Sequence, residues 1–436
     1  MPRNASQLGT FLGVYVPTLS TILGVVIFLR LTQILGGLGL YGTVGVFAGG
    51  FTVALLTTLS ICALISVGGG KTADGGGLYS AIYSATNRHF ASVAGCLIFI
   101  AYVCGIAFYC LGFGQATKLT IVGGQNFTAI NVFSWNSAGS WIVVTISAAA
   151  ALVIAVFVFL VGAFRSVMVT VGILIVIVIC IVTAWGLTLA DPTDLFNATT
   201  QKGHTGWSMD TLSGNLWLPP DAYSFPYAFA ALFPSFTGVI AGANLSGELK
   251  DPVAAITRGT IFALITAFML YLAESLIAAG SIPNVTLQNP NDTGIFQAIV
   301  DKTVSFPIAY IGILSTTLSS ALSYMLGAPR LLEAMSRDGL LPKIFGMRYG
   351  RAREPAFALL VTTILVLATV LTGALELLAP LVTATFLLTF CVINVVCMSM
   401  TCSSTASSKE IKFKSVFPLS ADLQFVSSFP WWSLSI

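Results

Sequence analysis

Two apolar stretches of this chain carry hydroxyls and glycine, and the second also proline, where a lipid-facing helix would carry only apolar side chains. The first is TLSTILGVVIFLRL (18–31), and the second is YAFAALFPSFTGVIAGANLSGELKDP (227–252). Proline removes an amide donor, and glycine lowers the cost of leaving helical geometry. Carbonyls and amides freed at membrane depth persist only where they line a cavity or find a partner. Ions are suitable partners, so these stretches predict sites for a cation on carbonyls and for an anion on amides.

The elements that must hold these stretches are transmembrane helices. Apolar residues make up 56% of the chain and charged residues 8%, which is the composition of an integral membrane protein. Runs of about twenty apolar residues, enough to cross a bilayer, recur along the chain. We predict ten spans, at 11–36, 41–66, 90–117, 140–163, 166–190, 224–247, 257–281, 306–328, 355–373 and 377–400.

The two unusual stretches fall in the first and the sixth span, five helices apart. This spacing predicts an all-α membrane protein with a five-plus-five inverted repeat, in which the interrupted first and sixth helices meet at the bilayer midplane. Glycine and proline also serve close packing and kinks in membrane helices, and that alternative stays open for each stretch. We divide the chain into an N-terminus (1–10), a transporter core (11–400) and a C-terminal tail (401–436).

The distribution of charge predicts the orientation. With the N-terminus in the cytoplasm, fifteen of the 19 Lys and Arg residues lie inside, and only Lys118, Lys202 and Lys302 lie outside. We therefore expect a multi-pass plasma-membrane protein with both termini cytoplasmic. Four glycosylation sequons fall in loops assigned to the outside, at Asn126, Asn197, Asn284 and Asn291.

Four segments resemble the cation-chloride cotransporters of the amino acid, polyamine and organocation superfamily. They are LGTFLGVYVPTLSTILGVVIFLRL, GGGLYSAI, ALFPSFTGVIAGANLSGELKDP and LSSALSYMLGAPRLLEAMSRDGLLP. The resemblance implies a secondary active symporter that works by alternating access and needs no cofactor, with chloride, sodium and potassium as transported ions. Members of this family carry two further spans and a large cytoplasmic domain, which are absent here, so we expect a divergent or truncated member.

The resemblance also implies ion-binding residues. For potassium these are Thr21, Ile22, Tyr109, Pro234 and Thr237. For chloride they are the amides of Gly24, Val25 and Val26 at one site, and of Gly238, Val239 and Ile240 with Phe390 at another. For sodium they are the carbonyls of Ser20, Leu23 and Thr316 with the hydroxyls of Ser319 and Ser320.

Two of these positions depart from the family pattern. Thr21 stands where relatives carry asparagine, and Phe390 stands where they carry tyrosine, so the second chloride site loses a donor. These departures fit a branch that transports a polyamine or amino acid, and sodium-independent potassium-chloride transport also stays open. The short C-terminus leaves open a third alternative, a non-transporting modulator of a full-length cotransporter. The expected partners are inorganic ions, membrane lipid, and a second copy or a full-length cotransporter.

Other functions find little support in the sequence. A formal charge of +3 without a basic stripe does not favour nucleic acid as a partner. The string GGGKTADGGG has Ile65 where a phosphate-binding loop needs glycine, and the residues form no enzymatic constellation. His89 and His204 fall on opposite sides of the membrane, so they predict no metal cluster. Glu274, inside the seventh span, is a further functional candidate.

Overall fold

The computed structural model describes most of the chain between Leu8 and Ala406. The described ranges are 8–24, 26–27, 30–68, 77–122, 138–189, 205–219, 222–244, 249–287, 306–350, 354–373 and 375–406. Among these residues the backbone forms helices and two isolated β-bridges, Leu8 with Leu249 and Tyr349 with Glu354. The predicted all-α fold is confirmed.

Thirteen α-helices are numbered here in chain order. They are α1 (Val16–Ile22), α2 (Leu31–Gly68), α3 (Gly77–Ala85), α4 (Arg88–Val122), α5 (Ala138–Val161), α6 (Ala163–Leu189), α7 (Met209–Asn215), α8 (Phe225–Leu232), α9 (Pro252–Ser281), α10 (Asn284–Leu287), α11 (Phe306–Arg337), α12 (Ala356–Val370) and α13 (Leu375–Ala406). A π-helical turn, Phe11–Tyr15, leads into α1, and a 3₁₀ helix, Phe233–Ile240, continues α8.

Seven of these helices are long and apolar enough to cross a membrane: α2, α4, α5, α6, α9, α11 and α13. Three shorter apolar segments, Phe11–Ile22, Phe225–Ile240 and Ala356–Val370, add to them. These ten segments correspond to the ten predicted spans, and the two that carry the unusual stretches are among the short ones. The sequence therefore predicted correctly that the α-helix is interrupted in the first and the sixth span.

The boundary between the first two predicted spans takes an unexpected form. The sequence predicts a short loop after residue 36, whereas the helix runs from Leu31 to Gly68 with one non-helical residue, Gly39. Gly39 has φ +68°, a left-handed conformation that favours glycine, and a Cβ there would collide with the carbonyl of Trp217. A single glycine therefore makes the turn.

The loops assigned to the outside gather at one end of the helix bundle. The Tyr223 amide donates to the Gly37 carbonyl (2.9 Å), and the Tyr41 amide donates to the Leu216 carbonyl (3.2 Å). The Thr205 amide reaches the Ser281 carbonyl at 2.9 Å. Segments from three separate predicted outer loops are thus in direct contact, as the predicted transmembrane topology requires.

Segments assigned to the cytoplasm gather at the other end. The Lys250 amide donates to the Leu8 carbonyl (3.1 Å), and Arg88 donates to the Gly339 carbonyl (2.6 Å). Arg330 and Glu354 form an ion pair of 3.0 Å, and the same carboxylate accepts the Ala163 amide at 3.1 Å. These contacts agree with the predicted grouping of the loops at two ends of the bundle. Which end faces the cytoplasm stays a prediction.

Candidate ion-binding site

The first span leaves helical geometry where the sequence predicts it. The Leu23 amide still donates to the Leu19 carbonyl (2.9 Å), but the ψ of Leu23 is +33° and the α-helix ends there. A helical hydrogen bond appears again further on, from the Arg30 amide to the Val26 carbonyl (3.1 Å). The carbonyls at the end of α1 thus carry the partial negative charge of a helix C-terminus.

The hydroxyls before this break are occupied by the helix itself. Ser20 donates to the Val16 carbonyl (2.8 Å), and Thr21 donates to the Pro17 carbonyl (2.6 Å). The hydrogens of both hydroxyls are therefore used within the helix, which leaves the hydroxyl lone pairs and the backbone carbonyls as the oxygens that could bind a cation. The Thr21 side chain, where the family has asparagine, is fully buried and has its hydrogen bond satisfied.

The sixth span changes from an α-helix to a 3₁₀ helix at Phe233, just before Pro234. In a 3₁₀ helix each amide donates to the carbonyl three residues earlier. The amides of Gly238, Val239 and Ile240 lie in this run, so they have local partners in the conformation described here. Anion binding on these amides would require the 3₁₀ turns to open.

The two altered spans touch each other at these positions. A Cβ built on Gly238 would lie 2.8 Å from the Ile22 nitrogen and 3.1 Å from the Thr21 carbonyl carbon. The backbone of the sixth span is therefore pressed against the last turn of α1, with no space for a side chain between them. The structure thus brings the predicted cation ligands of both spans together.

The predicted potassium residues form a hydrogen-bonded group. The Tyr109 hydroxyl, from α4, donates to the Pro234 carbonyl over a long distance of 3.4 Å. The Thr237 hydroxyl donates to the same carbonyl at 2.7 Å. Tyr109 also lies beside the break in the first span, because a Cβ on Gly24 would be 2.7 Å from its ring. All of these residues are buried.

Two tyrosines that the sequence did not single out complete this group. The Tyr271 hydroxyl on α9 donates to the Ile22 carbonyl at 2.8 Å. The Tyr324 hydroxyl on α11 donates to the Thr237 hydroxyl at 2.9 Å, and its ring stacks on Tyr109 with centroids 5.8 Å apart. A phenol in a buried apolar span needs a hydrogen-bond partner, and this requirement is the signal that could have identified both residues.

The predicted sodium residues meet where α11 packs against α1. The Ser320 hydroxyl lies 3.4 Å from the carbonyl oxygens of both Ser20 and Thr21. The Ser319 hydroxyl is fully buried and has no hydrogen-bond partner among the described residues. The Thr316 hydroxyl donates within its own helix, to the Ile313 carbonyl (2.9 Å).

The predicted chloride residues are only partly described. Gly24 and Val26 are buried at the break, and Val25 lies outside the described residues. Phe390, on α13, packs edge-on against Phe233 with ring centroids 5.9 Å apart, and it is 1% exposed. Its ring therefore reaches the sixth span next to Pro234 but brings no donor.

The predicted glycosylation positions fall largely outside the described residues, which include Asn284 but not Asn126, Asn197 or Asn291. The Asn284 side chain donates to the Gly36 carbonyl at 3.2 Å and is half-buried. Among the residues that the structure covers, no group of three His, Cys, Asp or Glu side chains could hold a metal ion.

Comparison with known proteins agrees with this architecture. A sequence model of the amino acid permease family matches residues 13–436. Solute carrier family 12 member 9 of Danio rerio is 30% identical over 414 residues, which are 90% of this chain and 45% of that protein. Vacuolar cation-chloride cotransporter 1 of Saccharomyces cerevisiae is 30% identical over 417 residues, 92% of this chain and 35% of that protein.

A plant protein shows the same similarity. Cation-chloride cotransporter 1 of Arabidopsis thaliana is 30% identical over 421 residues, 90% of this chain and 41% of that protein. The chain spans less than half the length of these relatives. The predicted similarity to cation-chloride cotransporters is confirmed.

Proposed function

Because the chain belongs to the amino acid permease family, a family of membrane transporters, we propose that it is a secondary active symporter that moves chloride together with sodium and potassium by alternating access. The ten apolar segments, interrupted in the first and sixth, support a core of this kind. Cations would bind carbonyls at the end of α1, and chloride would bind the amides that follow.

One observation carries the sodium part of this proposal. The Ser319 hydroxyl is buried without a partner, beside Ser320, whose hydroxyl lies at the Ser20 and Thr21 carbonyls. A buried hydroxyl that lacks a partner is costly, and a small cation at this point would satisfy it. The two serines, from α11, would then complete a shell begun by α1.

The proposal is tested by ion uptake into cells or liposomes that contain the full chain. Radiolabelled chloride and rubidium uptake should rise with external sodium. Ser319→Ala should raise the half-saturating sodium concentration by about 10- to 100-fold, because it removes an ion–dipole contact, whose strength we take to equal that of a hydrogen bond to a charged group, about 1.5–3 kcal/mol. Ser323→Ala is the matched control, since that hydroxyl bonds to the Ser319 carbonyl (3.0 Å) within α11.

The other outcomes identify the alternatives. Uptake that ignores both sodium and Ser319→Ala would exclude sodium coupling and leave potassium-chloride transport or transport of a polyamine or amino acid. Phe390 brings no donor and the amides of the 3₁₀ helix are already paired, so both features weaken the second chloride site. They favour transport of a polyamine or amino acid as the second candidate function. Absence of any flux, with altered flux through a co-expressed cotransporter, would instead indicate a modulator that assembles with it.

The proposed location is the plasma membrane, with both termini in the cytoplasm. The excess of Lys and Arg on one side of the predicted threading supports this orientation. The yeast relative is named as a vacuolar protein, so localisation of a tagged chain in its own cells tests this part separately.

A further inference from the structure

Glu274 is a buried carboxylate that the proposed ion sites do not use. It lies in the last third of α9, seven residues before Ser281, and is 1% exposed. One carboxylate oxygen accepts a hydrogen bond from the indole nitrogen of Trp185 on α6. The other carboxylate oxygen has no hydrogen-bond partner among the described residues.

No positive charge from the described part of the chain compensates this carboxylate. The ion pairs among these residues join Arg330 to Glu354 and Arg348 to Glu333, and they leave Glu274 out. The ionisable groups on its own helix and on the elements packed against that helix are Arg258, Tyr271, Arg165, Cys180, Tyr41, Cys62, Asp210 and Tyr15. Of these, Arg258 and Arg165 lie sixteen residues or more along their helices from Glu274 or Trp185, which corresponds to about 24 Å or more. Arg30, which directly precedes α2, donates a hydrogen bond to the side chain of Gln33 (3.1 Å).

A carboxylate without a cation is strongly disfavoured in such a position. A neutral carboxyl group can still accept the Trp185 hydrogen bond on one oxygen and hold a proton on the other. The loss from one unpaired hydroxyl is far smaller than the loss from an unpaired buried charge. In this conformation the neutral form of Glu274 therefore costs less than the ionised form.

The position of Glu274 connects it to the proposed ion site. Tyr271 lies three residues earlier on the same face of α9, and its hydroxyl donates to the Ile22 carbonyl at the break in the first span. The helices α1, α6 and α9 contact one another in all three pairings. With these three helices in contact Glu274 is 1% exposed, so this arrangement is closed to water at the carboxyl group.

We propose that Glu274 is a proton-binding site of the transport cycle, which is protonated in the closed arrangement of α1, α6 and α9 and releases its proton to water when this contact opens. The inference rests on the proposed transport function, because it adds a proton to that cycle. The step is the ionisation of a carboxylic acid to a carboxylate and a hydrated proton, and no other reactant takes part.

The first test measures chloride uptake into liposomes that hold the full chain, with the same pH on both sides. Uptake should rise as the pH falls, because acid favours the protonated form that allows closure. Glu274→Gln, which resembles the protonated carboxyl group, should keep uptake at the acid level at every pH. Asp210→Asn removes an exposed carboxylate of α7 and should leave the profile of the unaltered protein unchanged. A Glu274→Gln protein with the unaltered pH profile would overturn the proposal.

Trp185→Phe gives a second, graded readout. The indole donor stabilises the ionised carboxylate, so its removal should move the midpoint of the uptake profile to higher pH. A purely structural role of Trp185 would lower the amount of folded protein without moving this midpoint. An unmoved midpoint in folded Trp185→Phe protein would contradict the direct link between the indole and the titrating carboxyl group.

A spectroscopic test separates this inference from the proposed function. The infrared band of a protonated carboxylic acid should be present in the purified protein in lipid, titrate with pH, and be missing in Glu274→Gln. This result would support the proton site even if no ion flux were found. Absence of any band that depends on Glu274 would overturn the inference even if chloride transport were established.

Discussion

At the scale of single residues, Gly238 controls the contact between the two altered spans. Its missing side chain lets the 3₁₀ helix lie directly on the backbone of Ile22, whose nitrogen would be 2.8 Å from a Cβ. Gly238→Ala should destabilise the protein by about 1–3 kcal/mol through overpacking and should abolish ion uptake. Thermal unfolding in detergent measures the first effect. Gly172→Ala on α6 is the control, because nothing lies within 4 Å of a Cβ there.

Tyr271 makes a different prediction at this scale. Its hydroxyl and a bound potassium ion would compete for the Ile22 carbonyl oxygen. Tyr271→Phe removes the competing donor, worth about 1 kcal/mol, so the half-saturating rubidium concentration should fall about fivefold. Tyr15→Phe, which loses a hydroxyl bonded to Thr266 (3.3 Å), should leave that concentration unaltered. A Tyr271→Phe protein with unchanged rubidium affinity would remove the Ile22 carbonyl from the proposed site.

The sequence analysis singled out some residues of this buried cluster and missed others. Ser320, Tyr109 and Pro234 were identified because they lie in recognisable motifs, and the structure places them around the break in the first span. Tyr271 and Tyr324 were missed because the resemblance implied no role for either of them. Their partners, like that of Ser320, lie far away in the chain, 249 residues away for Tyr271 and 300 for Ser320. Contacts of that range depend on how helices pack, which no local pattern specifies.

At the scale of elements, the sixth span shows what local chemistry predicts and what it leaves open. Pro234 predicts a loss of regular α-helical bonding, and the α-helix does end beside it. The helix then tightens into 3₁₀ geometry and does not unwind fully. Packing against α1, α2 and α13 holds this segment on several sides, and such tertiary contacts could not be derived from the residues of one span.

The ion pair at the predicted cytoplasmic end leads to a prediction about what holds these elements together. Glu354 joins three elements, since its carboxylate binds Arg330 of α11 and the first amide of α6, Ala163. Both members of the pair are largely buried, with 14% and 7% of their side chains exposed, so breaking it should be costly. Glu354→Gln should lower the free energy of unfolding by about 3 kcal/mol.

Thermal unfolding of purified protein measures this loss. Lys343→Gln, at an exposed position of the same end, should change stability by less than about 0.5 kcal/mol. Equal effects of the two substitutions would show that the pair does not hold these elements together.

At the scale of the whole molecule, the alternation of loops between the two ends could be predicted from span count and charge alone. The contacts of residues 37–41, 205–223 and 279–287 agree with that alternation. Seven of the ten predicted spans correspond to described helices that are long and apolar enough to cross a membrane, because hydrophobic length is a strong signal. The inverted repeat and the direction in which the bundle faces remain predictions.

Thiol labelling of intact cells tests that direction. A cysteine in place of the exposed Ser213, on α7, should react with a membrane-impermeant reagent added outside. A cysteine in place of Met347, which is 42% exposed at the other end, should react only after permeabilisation. Unaltered protein reports the background from native cysteines. The reverse labelling pattern would show that the predicted topology is inverted in the membrane.

The turn at Gly39 has a mechanical consequence. Since α2 runs from Leu31 to Gly68 and is interrupted only at this residue, the outer half of the first span and the whole second span are two helical segments joined by one residue. Gly39 is the pivot between these two segments, and it packs directly against the carbonyl of Trp217. A displacement of the first span at the ion site would therefore be transmitted as rotation to the second span, and through Trp217 to the outer segment, without passing through a loose connection.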